Sequence, residues 1–208
     1  MTKVTSVSPK IIKMEKRIKK INRTLKYEGH RVKVYEDTML TPDGEKLYYD
    51  YVENRNGAAV LLVDAEGKLV FVKQYRQVLD GESVEIPAGC MEPRDVTGSP
   101  DILTKGEAPE DMEAFISCAK REAEEETGLI PGKLTFINYI VASVGLFSER
   151  TAVFIGTDCE KGSINRDSDE YMDVIRLSVD EALDYINRGF IHDSKTILAI
   201  YAYKCLLD

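Results

Sequence analysis

A period-two alternation of polar and apolar residues early in the chain is the mark of a half-buried strand. Residues 31–35 (Arg-Val-Lys-Val-Tyr) alternate in this way. Thr41-Pro42-Asp43-Gly44-Glu45 then marks a turn, and 46–52 (Lys-Leu-Tyr-Tyr-Asp-Tyr-Val) reads as a second strand. Residues 26–55 are therefore expected to form a small antiparallel β unit ahead of a main domain, 56–208. In that domain 58–63 and 69–74 are joined by the hairpin turn Asp64-Ala65-Glu66-Gly67. A short strand, 84–87, ends at Pro87-Ala88-Gly89, and further strands fall near 134–142, 151–157 and 172–177. The pattern becomes helical from about Glu110 to Thr127, where Gly128 is a natural stop. Ser178-Val179-Asp180-Glu181 is a capping-box pattern for a helix that ends before Gly189, and Asp193 or Ser194 caps a last apolar helix through Leu207. Strands on both sides of one long helix, without regular βαβ alternation, predict an α+β fold or a three-layer mixed sheet.

Two stretches stand apart. Residues 8–24 place Ile11, Ile12, Met14, Ile18 and Ile21 partly at helical spacing, so the basic extension 1–25 is expected to carry an amphipathic helix. Such a helix can dock on RNA or an anionic membrane, or simply pack weakly on the domain or on a partner subunit, and the last reading is preferred. Residues 90–109 are rich in Pro, Gly, Asp and Thr and read as a long surface loop, a length that is commonly functional.

Composition narrows the classes. The chain has 208 residues, 43% of them hydrophobic, which suffices for a substantial core. No apolar run approaches the roughly 18–20 residues needed to span a bilayer, and no apolar segment follows the N-terminal charges, so a membrane span and a secretory signal are not expected. A cytoplasmic location is the corresponding expectation. The net charge is −8, which argues against general nucleic-acid binding. It is unevenly placed, with +7 on residues 1–25 and −15 on the rest. Cys90, Cys118, Cys159 and Cys205 are widely spaced and read as free thiols. With only His30 and His192, a multi-histidine metal site is excluded, so any bound metal is expected to be a hard cation on carboxylates. There is no GxGxxG and no GxxxxGK[ST] to suggest a Rossmann or P-loop nucleotide site.

The chemistry concentrates at Glu113-(seven residues)-Arg121-Glu122-Ala123-Glu124-Glu125-Glu126-Thr127-Gly128-Leu129. On a helix Glu122, Glu125 and Glu126 lie at i, i+3 and i+4, so their carboxylates share one face. Three like charges there are destabilising unless a cation offsets them, and Mg²⁺ prefers such oxygen ligands while keeping waters for phosphate. Arg121 lies one turn before Glu125 and about two turns after Glu113, and by spacing can pair with either.

This stretch resembles the Nudix box, G-x5-E-x7-R-E-U-x-E-E-x-G-U with U apolar, and the match from Glu113 through Leu129 is complete. Gln74-Tyr75-Arg76 and Ile86-Pro87-Ala88-Gly89 look like the QYR strand and PAG turn of ADP-ribose pyrophosphatases and related nucleotide-sugar hydrolases. Ser143-Val144-Gly145 through Glu149-Arg150 and the acidic run 169–173 sit where that subfamily has its later loops. Two departures stand out. Between Gly89 and Glu113 there are 23 residues instead of five, an insertion of about 18 placed within 90–112, with Gly106-Glu107 mimicking the family's GE. Val144 stands where ADP-ribose hydrolases usually carry Pro.

The resemblance implies a Nudix-type α/β/α sandwich with a mixed sheet and an N-terminal β unit used for homodimerisation. It implies Mg²⁺ or Mn²⁺ on Glu122, Glu125, Glu126 and the Ala88 carbonyl, with Glu113 and Arg121 as a structural pair. It points to Arg76, Glu85 and Glu149 for substrate. It assigns the proton-accepting role to Glu170, with Asp169 and Glu149 as alternatives, and counts Glu126 with the catalytic residues. Tyr49, Tyr51 and Phe147 are open between base stacking and packing. The implied reaction is hydrolysis of the pyrophosphate of a nucleoside diphosphate sugar, ADP-ribose first, to AMP and a sugar phosphate. GDP-mannose or UDP-glucose fit the same machinery. Readings of another class are a Nudix-fold nucleotide-binding module that has lost its chemistry, and an RNA-directed enzyme that uses the basic N-terminus.

Overall fold

The computed structural model describes residues 17–97, 103–104, 112–165 and 171–207. The chain divides into two compact units, one up to Val52 and one from Glu53 onward. In the first, β1 (Lys19–Glu28), β2 (Lys33–Leu40) and β3 (Lys46–Glu53) form a sheet in the order β1–β2–β3.

Residues 19–24, expected to be helical, lie in β1, and 8–16 fall outside the described residues. Local spacing misleads here because the decisive partner is distant. Arg23 sits opposite Asp37 in the β1–β2 register and grips its carboxylate with two bonds, of 2.5 and 2.6 Å. The same guanidinium lies 3.5 Å above the Tyr51 ring and 5.4 Å from that of Tyr35. Hydrogen bonding from Arg23 holds the Asp37 carboxyl below its usual range. A short isolated helix is marginal in water, whereas these contacts across the sheet fix the strand. The β1 strand leaves Ile21, Leu25 and Tyr27 exposed.

The second unit is built on β4 (Gly57–Val63), β5 (Leu69–Arg76), β6 (Gly81–Glu85), β7 (Ala88–Cys90), β8 (Leu129–Ile140), β9 (Thr151–Lys161) and β10 (Met172–Leu177). The strand order is β10–β5–β4–β9–β8, with β6 added to β5 and β7 to β4. β4 runs parallel to β9, and the other pairs are antiparallel, so the sheet is mixed.

Every residue of β4 is buried, as expected of a central strand covered on both faces. Because side chains alternate, Ala58, Val60 and Leu62 meet Phe115, Cys118, Ala119 and Ala123 of α1 (Met112–Thr127). Ala59, Leu61 and Val63 pack on the other side with Ala182 of α2 (Val179–Asn187) and with Ala199 and Ile200 of α3 (Ser194–Leu207). This is the α/β/α sandwich that the sequence leads one to expect. Each large side chain buried in these two layers contributes on the order of 1.5–3 kcal/mol.

The helix ends follow their local chemistry. Gly128, at φ +72°, turns the chain out of α1 and returns its N–H to the Glu124 carbonyl at 2.8 Å. Ser178 and Glu181 form the reciprocal capping box of α2. Asp193 accepts the Thr196 N–H at 3.0 Å and so caps α3.

Candidate active site

α1 carries an anomaly on its inner face. Its buried stripe begins Ala114, Phe115, Cys118, Ala119 and then continues through Glu122, Ala123 and Glu126. Glu122 and Glu126 are only 8% and 3% exposed, although glutamate is almost never buried unless paired. Glu125, on the adjoining position, is partly exposed.

The facing backbone is the Pro87-Ala88-Gly89 turn. The Ala88 N–H donates to Glu126 Oε2 at 3.2 Å. Gly89 has no side chain for a reason: a Cβ there would lie 2.0 Å from Glu122 Oε1 and 2.3 Å from Cδ. The carboxylate therefore rests directly against the β7 backbone. The Cys118 thiol donates to the Gly89 carbonyl at 3.6 Å, and burial pushes that thiol up, so it stays protonated. On the other side of the turn, the Ile86 N–H donates to Thr196 Oγ1 at 2.9 Å, which ties the turn to the start of α3.

Arg121 organises the carboxylates. Its Nη1 donates to Glu122 Oε1 at 2.7 Å and to Glu125 Oε2 at 3.0 Å. Its other edge takes Asp95 two-pronged, Nε to Oδ1 at 3.1 Å and Nη2 to Oδ2 at 2.9 Å, and Nη2 also reaches the Cys90 carbonyl at 3.0 Å. Arg94 adds a second cation, 3.1 Å from Glu125 Oε1 and 2.6 Å from Glu92 Oε2. Arg121 remains charged under all conditions: burial lowers its pKa, but Asp95 and Glu122 outweigh that and raise it.

A neighbouring cluster centres on Glu85, 4% exposed. Arg76 grips it with Nε and Nη2 at 2.8 and 2.6 Å, and Lys195 lies 3.3 Å from it and 2.7 Å from Asp193. Burial alone would raise the Glu85 carboxyl, but Arg76 and Lys195 bring it down to about 2.

The structure thus brings together Ala88, Glu122, Glu125, Glu126 and Arg121, and separately Arg76 with Glu85. Glu113 is not among the partners of Arg121. It lies exposed in the first turn of α1, eight residues and about 12 Å along the axis from Arg121, beyond side-chain reach. Asp95 occupies the place expected of it. The usable signal was its position, six residues after Gly89. Glu149 accepts a hydrogen bond from the Asn54 side-chain amide. Tyr51 is taken up by Arg23, Tyr49 is exposed, and Phe147 is half-buried. Asp169, Glu170 and Glu107 lie outside the described residues.

Among the described residues no group of three or more His, Cys, Asp or Glu is already arranged as a metal cage. The donor chemistry nonetheless fits a hard divalent cation. Three carboxylates share the end of one helix, and the backbone against Glu122 is stripped to glycine.

Residues 53–197 match the NUDIX domain family. The ADP-ribose pyrophosphatase of Bacillus subtilis (strain 168) is 33% identical over 176 residues, covering 84% of this chain and 85% of that protein. The methanol dehydrogenase activator of Bacillus methanolicus is 33% identical with the same coverage. A GDP-mannose pyrophosphatase of Cronobacter sakazakii is 27% identical over 76% of this chain and 79% of its own length. A solved structure described as an ADP compounds hydrolase superposes with a TM-score of 0.75, covering 92% of this chain and 94% of that one at 16% identity, which supports the fold. With the box helix seated against its Pro-Ala-Gly turn and the domain match spanning both, the chain belongs to the Nudix family.

Proposed function

We propose that this protein hydrolyses the pyrophosphate bond of a nucleoside diphosphate sugar, with ADP-ribose as first substrate, giving AMP and a sugar phosphate with Mg²⁺ or Mn²⁺ bound. The observation that carries the reading is the pair of buried carboxylates, Glu122 and Glu126, set against the Ala88–Gly89 backbone with Glu125 beside them. These three glutamates and the Ala88 carbonyl would hold the cation. When bound, it neutralises phosphate charge as water attacks phosphorus.

The chain's own residues supply the rest. Arg76 turns its Nε and Nη2 to Glu85, which leaves the Nη1 edge of a 39% exposed side chain to meet a phosphate oxygen. Glu85 fixes that guanidinium in place. Glu170 takes the proton of the attacking water. Glu149, anchored by Asn54, positions the loop at 143–150 beside the substrate.

A second reading, GDP-mannose as substrate, is favoured by the Cronobacter sakazakii relative. Both readings are tested by measuring phosphate release, through a coupled phosphatase, from nucleoside diphosphate sugars and nucleoside triphosphates with Mg²⁺ and with EDTA. Metal-dependent cleavage of one or a few diphosphate sugars is expected. No turnover on any of them contradicts the proposal and favours a binding module.

The protein is further proposed to act as a homodimer through the N-terminal sheet. The support is the set of exposed apolar side chains there, including Ile21, Leu25, Tyr27, Tyr48 and Tyr49. A monomeric mass at micromolar concentration contradicts this. A reducing, cytoplasmic setting agrees with the four free thiols, and among the described residues no helix is long and apolar enough to cross a membrane.

A further inference from the structure

We infer that Asp95 is the positioning residue of the metal site, and that its task is to keep hold of Arg121 when a cation takes Glu122 and Glu125 away from it. The inference rests on the metal-site reading above.

The two edges of Arg121 do different work. Nη1 serves Glu122 and Glu125, the carboxylates that a divalent cation would claim. Nε and Nη2 are committed to Asp95 in a two-pronged fork, and Nη2 also to the Cys90 carbonyl. A cation on the two glutamates competes with Nη1 alone, and the other edge stays fixed. Without the fork, the guanidinium would be free to follow its remaining carboxylates and would oppose the cation as a rival positive charge.

Asp95 is itself built in rather than incidental. Its side chain is 2% exposed. Its Oδ2 accepts the Glu92 N–H at 2.8 Å, closing the 3-10 turn Pro93–Asp95. Its Oδ1 lies 3.4 Å from the Ser117 hydroxyl, one helical turn before Arg121. The residue therefore ties the chain after β7 to the outer edge of α1.

Its place in the sequence agrees. Asp95 follows Gly89 with five residues between them, the offset of the first glutamate in the box, and 25 residues separate it from Arg121 where the box has seven. The extra residues thus lie after the positioning carboxylate, not before it. Glu113 reproduces the helical offset by coincidence.

The test is Mn²⁺ affinity of the free protein, read from the loss of the free-ion electron paramagnetic resonance signal, for wild type, Asp95→Asn and Glu113→Gln. Thermal unfolding of each is measured alongside. Asp95→Asn is expected to weaken Mn²⁺ binding about tenfold and to lower kcat by a similar factor with little change in KM. Glu113→Gln is expected to match wild type in both. Wild-type affinity in a folded Asp95→Asn protein overturns the inference. So does a tenfold loss in Glu113→Gln, which decides the matter even if Asp95→Asn fails to fold. No Mn²⁺ binding by wild type overturns the metal reading and this inference together. Normal Mn²⁺ binding that depends on Asp95, without turnover of any nucleotide sugar, overturns the substrate reading alone.

Discussion

Two clusters of charged side chains, each with buried carboxylates at its centre, lie in the same unit, yet their charge balance differs. Around Glu85, Arg76 and Lys195 face Glu85 and Asp193, two cations against two anions. Around Arg121, two arginines, Arg94 and Arg121, face Glu92, Asp95, Glu122 and Glu125, with Glu126 one turn beyond Glu122. In the first cluster the charges balance, and Arg76 keeps its outer edge for substrate. The second sets more carboxylates than cations around the Glu122–Glu126 face, an oxygen-rich donor set for which a divalent cation is a natural complement. The balanced cluster holds one arginine in place, and the unbalanced one is available for chemistry.

The strongest way to break this contrast is to remove a charge from the unbalanced side. Glu126→Gln is expected to cut turnover on the order of a thousandfold with the fold retained, as read by steady-state kinetics and circular dichroism. A near-wild-type rate would remove Glu126 from the metal site. Glu170→Gln is expected to lower kcat on the order of a hundredfold with KM and Mn²⁺ affinity unchanged, which separates the base from the cation holders. An unchanged kcat returns the role to Asp169 or Glu149.

Gly89→Ala sharpens the comparison further. The atoms nearest its Cβ would be those of the Glu122 carboxylate, so that side chain is expected to swing aside with the fold retained. Turnover is expected to fall by roughly ten- to a hundredfold with a small change in Tm. A large drop in Tm with normal specific activity contradicts this account of the glycine.

The balanced cluster answers to pH instead. Glu85 is held at about 2 against an ordinary 4.5. Its folded-state pKa is depressed, so its stabilising effect is full above about pH 4.5 and is lost as pH falls toward 2. The contribution is on the order of 3 kcal/mol at neutral pH. In thermal unfolding, Glu85→Gln is expected to lie below wild type at pH 6, and the gap should narrow to about a quarter by pH 2.5. A gap that does not change with pH contradicts the assignment.

The same contrast explains what the sequence could and could not reveal. Glu122, Glu125 and Glu126 were legible because a single helix fixes their spacing, and nothing distant is needed to place them on one face. β4 was legible as a strand, and its lack of any polar position accords with its being covered on both faces. Arg121 was legible as a residue, but its partner was visible only as an acidic residue six places after Gly89. The pairing with Asp95 spans an insertion, and local periodicity carries no information across such a gap. Glu113 satisfied the count along the helix yet failed on distance. β1 is a similar case: isoleucines at partly helical spacing lose to the cross-strand grip of Arg23 on Asp37, a contact 14 residues away in sequence. The Arg76–Glu85 fork was only half visible. Each residue was singled out, but their pairing depends on β5 and β6 lying side by side.

The measurement that tests the central claim most directly is ³¹P NMR of ADP-ribose incubated with the protein and Mg²⁺, repeated with EDTA and with Glu126→Gln. The account predicts that the diphosphate resonances give way to two monophosphate resonances, those of AMP and ribose 5-phosphate, with Mg²⁺ and wild-type protein only. A diphosphate spectrum that persists with Mg²⁺ for ADP-ribose and for GDP-mannose alike, or cleavage that proceeds equally in EDTA, would contradict it.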